Sequence, residues 1–69
     1  MVILNQTETS AVDVSNGYLE IRKDSVYAGC RNALIHLGTY VTPDRAKNIL
    51  KEIATSISSE VKFYEMPKA

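Results

Sequence analysis

Short apolar–polar alternations fill the first half of the chain, and the period lengthens once, after Gly38. Val2-Ile3-Leu4 is a short apolar run suited to an edge or pairing strand, and Asn5 to Ser10 is a polar loop. Ala11-Val12-Asp13-Val14 resumes β-type residues. Ser15-Asn16-Gly17 is the strongest turn signal, because Asn-Gly accepts the positive φ of a tight hairpin. Tyr18 to Arg22 alternates with Leu19 and Ile21 on one face, and Lys23-Asp24 reverses the chain. Ser25 to Cys30 is the next strand, with Val26, Ala28 and Cys30 together and Gly29 marking a bulge or a close backbone approach. Arg31-Asn32 suits a two-residue turn into Ala33-Leu34-Ile35-His36-Leu37.

Beyond Gly38 the period is helical. Thr42 can cap an amide, Pro43 fits the first helical position, and Asp44 complements the positive end of the dipole. Ala46, Ile49, Leu50, Ile53 and Ile57 form one stripe, while Arg45, Lys47, Asn48, Lys51 and Glu52 lie off it. This predicts a helix over about 43–58. Val61 to Met66 alternates again and Pro67 stops it, so a last strand either returns to the sheet or is lent to a neighbouring subunit. The expected fold is α+β: one small domain over 1–69, an antiparallel β-meander of about four to five short strands, and one amphipathic helix packed on one face. The other sheet face is then solvated or covered by a second copy.

Composition narrows the class. A chain of 69 residues has no room for a second core or a Rossmann unit. Eight basic and eight acidic residues give zero net charge, which argues against a generic DNA-binding module. At 45% hydrophobic the chain is too apolar for a disordered tail, yet it holds no run of about 18 apolar residues to span a membrane. Met1 to Leu4 is too short and lacks the basic lead of a secretory signal. The single cysteine, Cys30, is incapable of an internal disulfide, as a cytoplasmic protein allows. A core this small barely offsets ordering entropy, so a homo-oligomer is expected.

Chemistry-bearing motifs are sparse. Walker, GxGxxG, HExxH and GxSxG patterns are missing, and one His (His36) with one Cys makes no metal set. We therefore expect no catalytic residues, metal or cofactor. Tyr18, Tyr27, Tyr40 and Tyr64 suit the sheet rim, interfaces or the stacking of flat ligands. Arg22, Lys23 and Arg31 fall near one end or edge of the meander. Gly38 to Thr42 leads into a helix N-terminus, where free amides attract anions and Arg45 adds a planar fork, although Pro43 removes one amide and Asp44 is negative.

The run Leu37 to Ile53, with its Leu-Gly-Thr-Tyr, Thr42, Arg45-Ala46-Lys47, Ile49-Leu50 and Glu52-Ile53, is followed by Tyr64-Glu65-Met66-Pro67. Over about residues 18 to 67 this resembles small uncharacterised proteins encoded by phages and prophages of Gram-positive bacteria. The resemblance implies an accessory protein in a bacterial cytoplasm and carries no activity. Three expectations follow. The first is a non-enzymatic homo-oligomer that sequesters a small anionic, nucleotide-derived immune signal to counter bacterial defence, with ligand contacts at Tyr40, Thr42, Arg45 and Tyr64. The second is a protein–protein inhibitor of a host defence protein such as a CRISPR nuclease. The third is a regulatory or structural phage component.

Overall fold

A computed structural model describes all residues from Met1 to Ala69. Six strands and one helix follow in chain order: β1 (Val2–Leu4), β2 (Ala11–Asp13), β3 (Tyr18–Arg22), β4 (Ser25–Cys30), β5 (Ala33–Thr39), α1 (Pro43–Ser58) and β6 (Phe63–Glu65). The fold is α+β. Its strands form two three-stranded sheets, β3-β4-β5 and β2-β1-β6, rather than one. No helix is long and apolar enough to cross a membrane.

The first sheet is the antiparallel meander that the alternation predicts. Arg31 and Asn32 both take positive φ, 48° and 68°, the signature of the two-residue turn whose twist matches its strands. Lys23 does the same at 59° in the β3–β4 turn. The bulge lies in β5 and not at Gly29: Val26 faces Gly38 and Tyr27 faces His36, so Leu37 is the extra residue.

The second sheet uses pairings that no local turn announces. β1 runs antiparallel to β2 and parallel to β6. The last strand thus returns to the chain's own β1, with Val2 N–H bonded to Lys62 O at 2.9 Å and Met66 N–H to Leu4 O at 3.0 Å. Asn16-Gly17 does not close a hairpin, because β2 and β3 belong to different sheets, and no glycine has positive φ. Gly17 is needed instead for clearance: a Cβ there would stand 2.2 Å from Gly29 O.

α1 begins as its capping residues dictate. Thr42 is extended, at φ −136° and ψ 156°, and its hydroxyl accepts from Arg45 N–H at 3.1 Å. Ala46, Ile49 and Ile53 are fully buried, Leu50 is half-buried, and Ile57, expected on the same stripe, is 47% exposed. The stripe outruns the sheet it covers. Ile3, Val14, Val26, Ala28, Leu37, Tyr40 and Met66 complete a single core drawn from both sheets and the helix. Gln6 stitches β5 to the first loop like a short strand: its side-chain amide donates to Thr39 O at 2.9 Å and accepts from Thr39 N–H at 2.8 Å.

Candidate functional site

The approach to α1 gathers all four residues expected to bind ligand, Tyr40, Thr42, Arg45 and Tyr64. Tyr40 is buried, and its hydroxyl donates to Pro67 O at 2.7 Å. Arg45 places Nε and Nη2 at 3.3 and 3.0 Å from Ala69 O. Tyr64 donates to Glu52 Oε1 at 2.8 Å. Burial pushes the Tyr64 phenol well above its ordinary range, with Glu52 acting in the same direction; Tyr40 and Arg45 are near enough to bear on it as well. Burial also raises Tyr40. Thr42 spends its hydroxyl on the helix cap. The last four residues therefore lie across this end of the molecule. They are held by Tyr40, Arg45 and Gln6, whose Nε2 also donates to Lys68 O at 3.0 Å, and by a Lys68–Glu8 ion pair. A ligand at this end has to displace the chain's own tail.

A different arrangement occupies the face of β3-β4-β5 turned away from α1. Cross-strand register sets three rows there: Tyr18–Gly29–Leu34, Glu20–Tyr27–His36 and Arg22–Ser25–Thr39. Gly29 lets the Tyr18 ring lie flat on the strand, since a Cβ at that position would meet Tyr18 Cζ at 2.2 Å. The ring shields Gly29 while remaining 59% exposed itself. Tyr18, Gly29, Leu34, Arg22, Arg31 and Asn32 border an open concavity of about 450 Å³. Arg31 is projected into it by the left-handed turn and has no hydrogen-bonding or ionic partner. Arg22 uses Nε on Glu20, which raises its already high pKa, and both of its Nη groups are unspent. The result is an aromatic floor with two guanidinium groups at its margin, the chemistry that holds a flat anion by stacking and forked hydrogen bonds.

The bulge at Leu37 shapes the adjoining row. Residues three apart in a regular strand face opposite ways, but the extra residue brings His36 and Thr39 to one face. There His36 Nε2 and Thr39 Oγ1 share a hydrogen bond of 2.8 Å, Thr39 Oγ1 reaches Ser25 Oγ at 2.8 Å, and His36 meets the Tyr27 ring edge-on at 5.3 Å. No cluster of three or more His, Cys, Asp or Glu side chains gathers within reach of one metal ion.

The sequence pattern puts Arg22, Lys23 and Arg31 near one end or edge of the meander and offers Gly29 as a bulge or a close backbone approach, of which the structure has the close approach. The pattern does not join them to Tyr18, because that step needs the β3–β4 register. No family model, curated protein or solved structure matches this chain.

Proposed function

We propose that this protein is a non-enzymatic binder of a small anionic ligand bearing a flat ring, with nucleotides as the class that combines both features. Binding is stoichiometric: the protein withholds the ligand from its receptor and performs no chemistry on it. The observation that carries this reading is the concavity in which an exposed Tyr18 ring lies beside the unpartnered Arg31 and the free Nη groups of Arg22. Tyr18 and Arg31 line the same concavity, so one ligand can offer its ring to the first and its phosphate to the second. Zero net charge suits a small captured ligand better than a long duplex, whose affinity rests on many phosphate contacts. The resemblance to phage accessory proteins supplies a setting, a bacterial cytoplasm in which a nucleotide-derived immune signal is worth sequestering. The small core favours a homo-oligomer as the working form.

Native mass spectrometry of the protein as purified from cells, with a denatured control, tests the reading. The expected result is a defined oligomer carrying an additional mass in the nucleotide range that is lost on denaturation. The purified chain should also bind adenosine monophosphate, and Tyr18→Ala and Arg31→Ala should each abolish binding while Arg45→Ala does not. Absence of any adduct, together with no perturbation of the Tyr18 and Arg31 amides by the mononucleotide, overturns it.

A further inference from the structure

The exposed face of β3-β4-β5 continues past the Tyr18 concavity into a second aromatic position. Tyr18 on β3 and Tyr27 on β4 occupy adjacent rows, since Tyr18 pairs with Gly29 and Glu20 with Tyr27. Diagonal neighbours across two strands lie about 7–8 Å apart, within reach of two rings carrying consecutive flat groups. Tyr27 is half-buried, its hydroxyl has no hydrogen-bond partner, and its ring meets that of His36 in a T-shaped contact at 64°. A tyrosine whose polar tip is unused and whose ring is in contact with a neighbouring one is built as a platform. Arg22 lies on the same face: it lines the Tyr18 concavity, and its Nε reaches Glu20, the cross-strand partner of Tyr27. Lys23, exposed in the adjoining turn, and Arg31 beyond Tyr18 place cations at the two ends of this line.

Building on the nucleotide-binding reading above, we propose that this sheet face takes two nucleobases joined by a phosphodiester, one stacked on Tyr18 and the next on Tyr27, with the linking phosphate at the Nη groups of Arg22. Stacking on exposed aromatic residues of an antiparallel sheet tolerates any base, because every base has a π-face. The charge pattern is complementary: Arg31 and Arg22 match the terminal and linking phosphates, Lys23 keeps the far end of the line cationic, and Glu20 orients Arg22 through Nε without consuming its Nη groups. The mononucleotide uses the Tyr18–Arg31 half, with Arg22 at its margin.

The test compares adenosine monophosphate with 5′-phosphorylated diadenylate by calorimetry and by amide chemical-shift titration of the intact chain. The diadenylate should bind on the order of tenfold more tightly or better, the gain expected from one further stacked base. Tyr27→Ala should remove that gain and leave mononucleotide affinity unchanged, whereas Arg22→Gln, at the margin both ligands share, should remove the gain and weaken the mononucleotide as well. Tyr27→Phe, which keeps the ring and loses only the unbonded hydroxyl, should retain the gain, and this serves as the control should Tyr27→Ala disturb the sheet. A longer oligoadenylate that binds no better than diadenylate assigns the site to a free dinucleotide, whereas continued gain assigns it to a single strand. Equal affinity for mono- and dinucleotide, or a gain that persists in Tyr27→Ala, overturns the two-base proposal while the Tyr18-dependent mononucleotide site stands. Failure of both ligands to bind overturns both.

Discussion

Gly17 and Gly29 face each other across the start of β3, and alanine at the two positions should behave very differently. The Cβ of Gly17→Ala would stand 2.2 Å from Gly29 O, and ordinary contact begins at 3.4 Å, so the backbone must separate by 3.4 − 2.2 = 1.2 Å. That oxygen belongs to β4, held between β3 and β5, and has no side-chain freedom with which to yield. A displacement of that size breaks one or two ladder hydrogen bonds at about 1 kcal/mol each. Overpacking adds about 1–3 kcal/mol. The lower unfolded-chain entropy of alanine returns about 0.4–1 kcal/mol. The net cost is roughly 1–5 kcal/mol with a centre near 3, and at about 4–8 °C per kcal/mol for a domain of this size the central value lowers the Tm by roughly 12–24 °C. In Gly29→Ala the close atoms are Tyr18 Cζ, Cε1 and Cε2 at 2.2, 2.3 and 2.7 Å, all in one exposed side chain that can rotate into solvent. Its Tm should move by no more than about 5 °C, while the stacking floor of the concavity is lost and mononucleotide affinity drops by about tenfold. Thermal unfolding followed by circular dichroism measures the first pair of effects and calorimetry the second. Equal Tm losses in the two variants, or a Gly17→Ala protein as stable as the parent, would refute the assignment of Gly17 to backbone clearance.

Three further perturbations follow from contacts already described. Tyr40→Phe removes the donor to Pro67 O and should cost about 1 kcal/mol in urea denaturation, with faster amide exchange at Met66 than at the Ile53 core. Thr42→Ala deletes the helix cap and should cost about 1 kcal/mol, largely recovered by Thr42→Ser. The raised Tyr64 phenol contributes to alkaline unfolding beside the likewise raised Tyr40: its neutral form is favoured in the fold, so its contribution is complete below the unfolded value near about pH 10 and is lost as pH rises through the folded value. Urea midpoints should therefore fall above about pH 10, and less steeply in Tyr64→Phe; a parent and variant with identical alkaline slopes would count against this origin.

What was legible beforehand was what neighbouring residues decide. Thr42, Pro43 and the Ala46–Ile53 spacing define α1 within one stretch of chain, and the helix runs from Pro43 to Ser58 as its period requires. Lys23-Asp24 and Arg31-Asn32 turn the meander for equally local reasons. The second sheet was not legible, because β1 and β6 are joined in parallel by residues some sixty positions apart, and a short apolar run carries no mark of its partner. Asn16-Gly17 reads as a hairpin for the same reason: the dipeptide fits a tight turn, yet here its glycine makes room for the Gly29 carbonyl of β4, twelve residues further on. The same distinction separates the two aromatic–arginine groups. Tyr40, Arg45 and Tyr64 have the composition of an anion site, and so do Tyr18, Arg22 and Arg31. Composition is silent on whether a polar tip is already spent. In the first group Pro67, Ala69 and Glu52 take those tips; in the second, Arg31 and both Nη groups of Arg22 remain available beside an exposed ring. A guanidinium bound to the chain's own oxygen must give up that bond before it gains another, so net affinity favours the group that starts unpaired. The sheet face is thereby the stronger candidate for the proposed site even though the helix approach carries the more familiar sequence pattern.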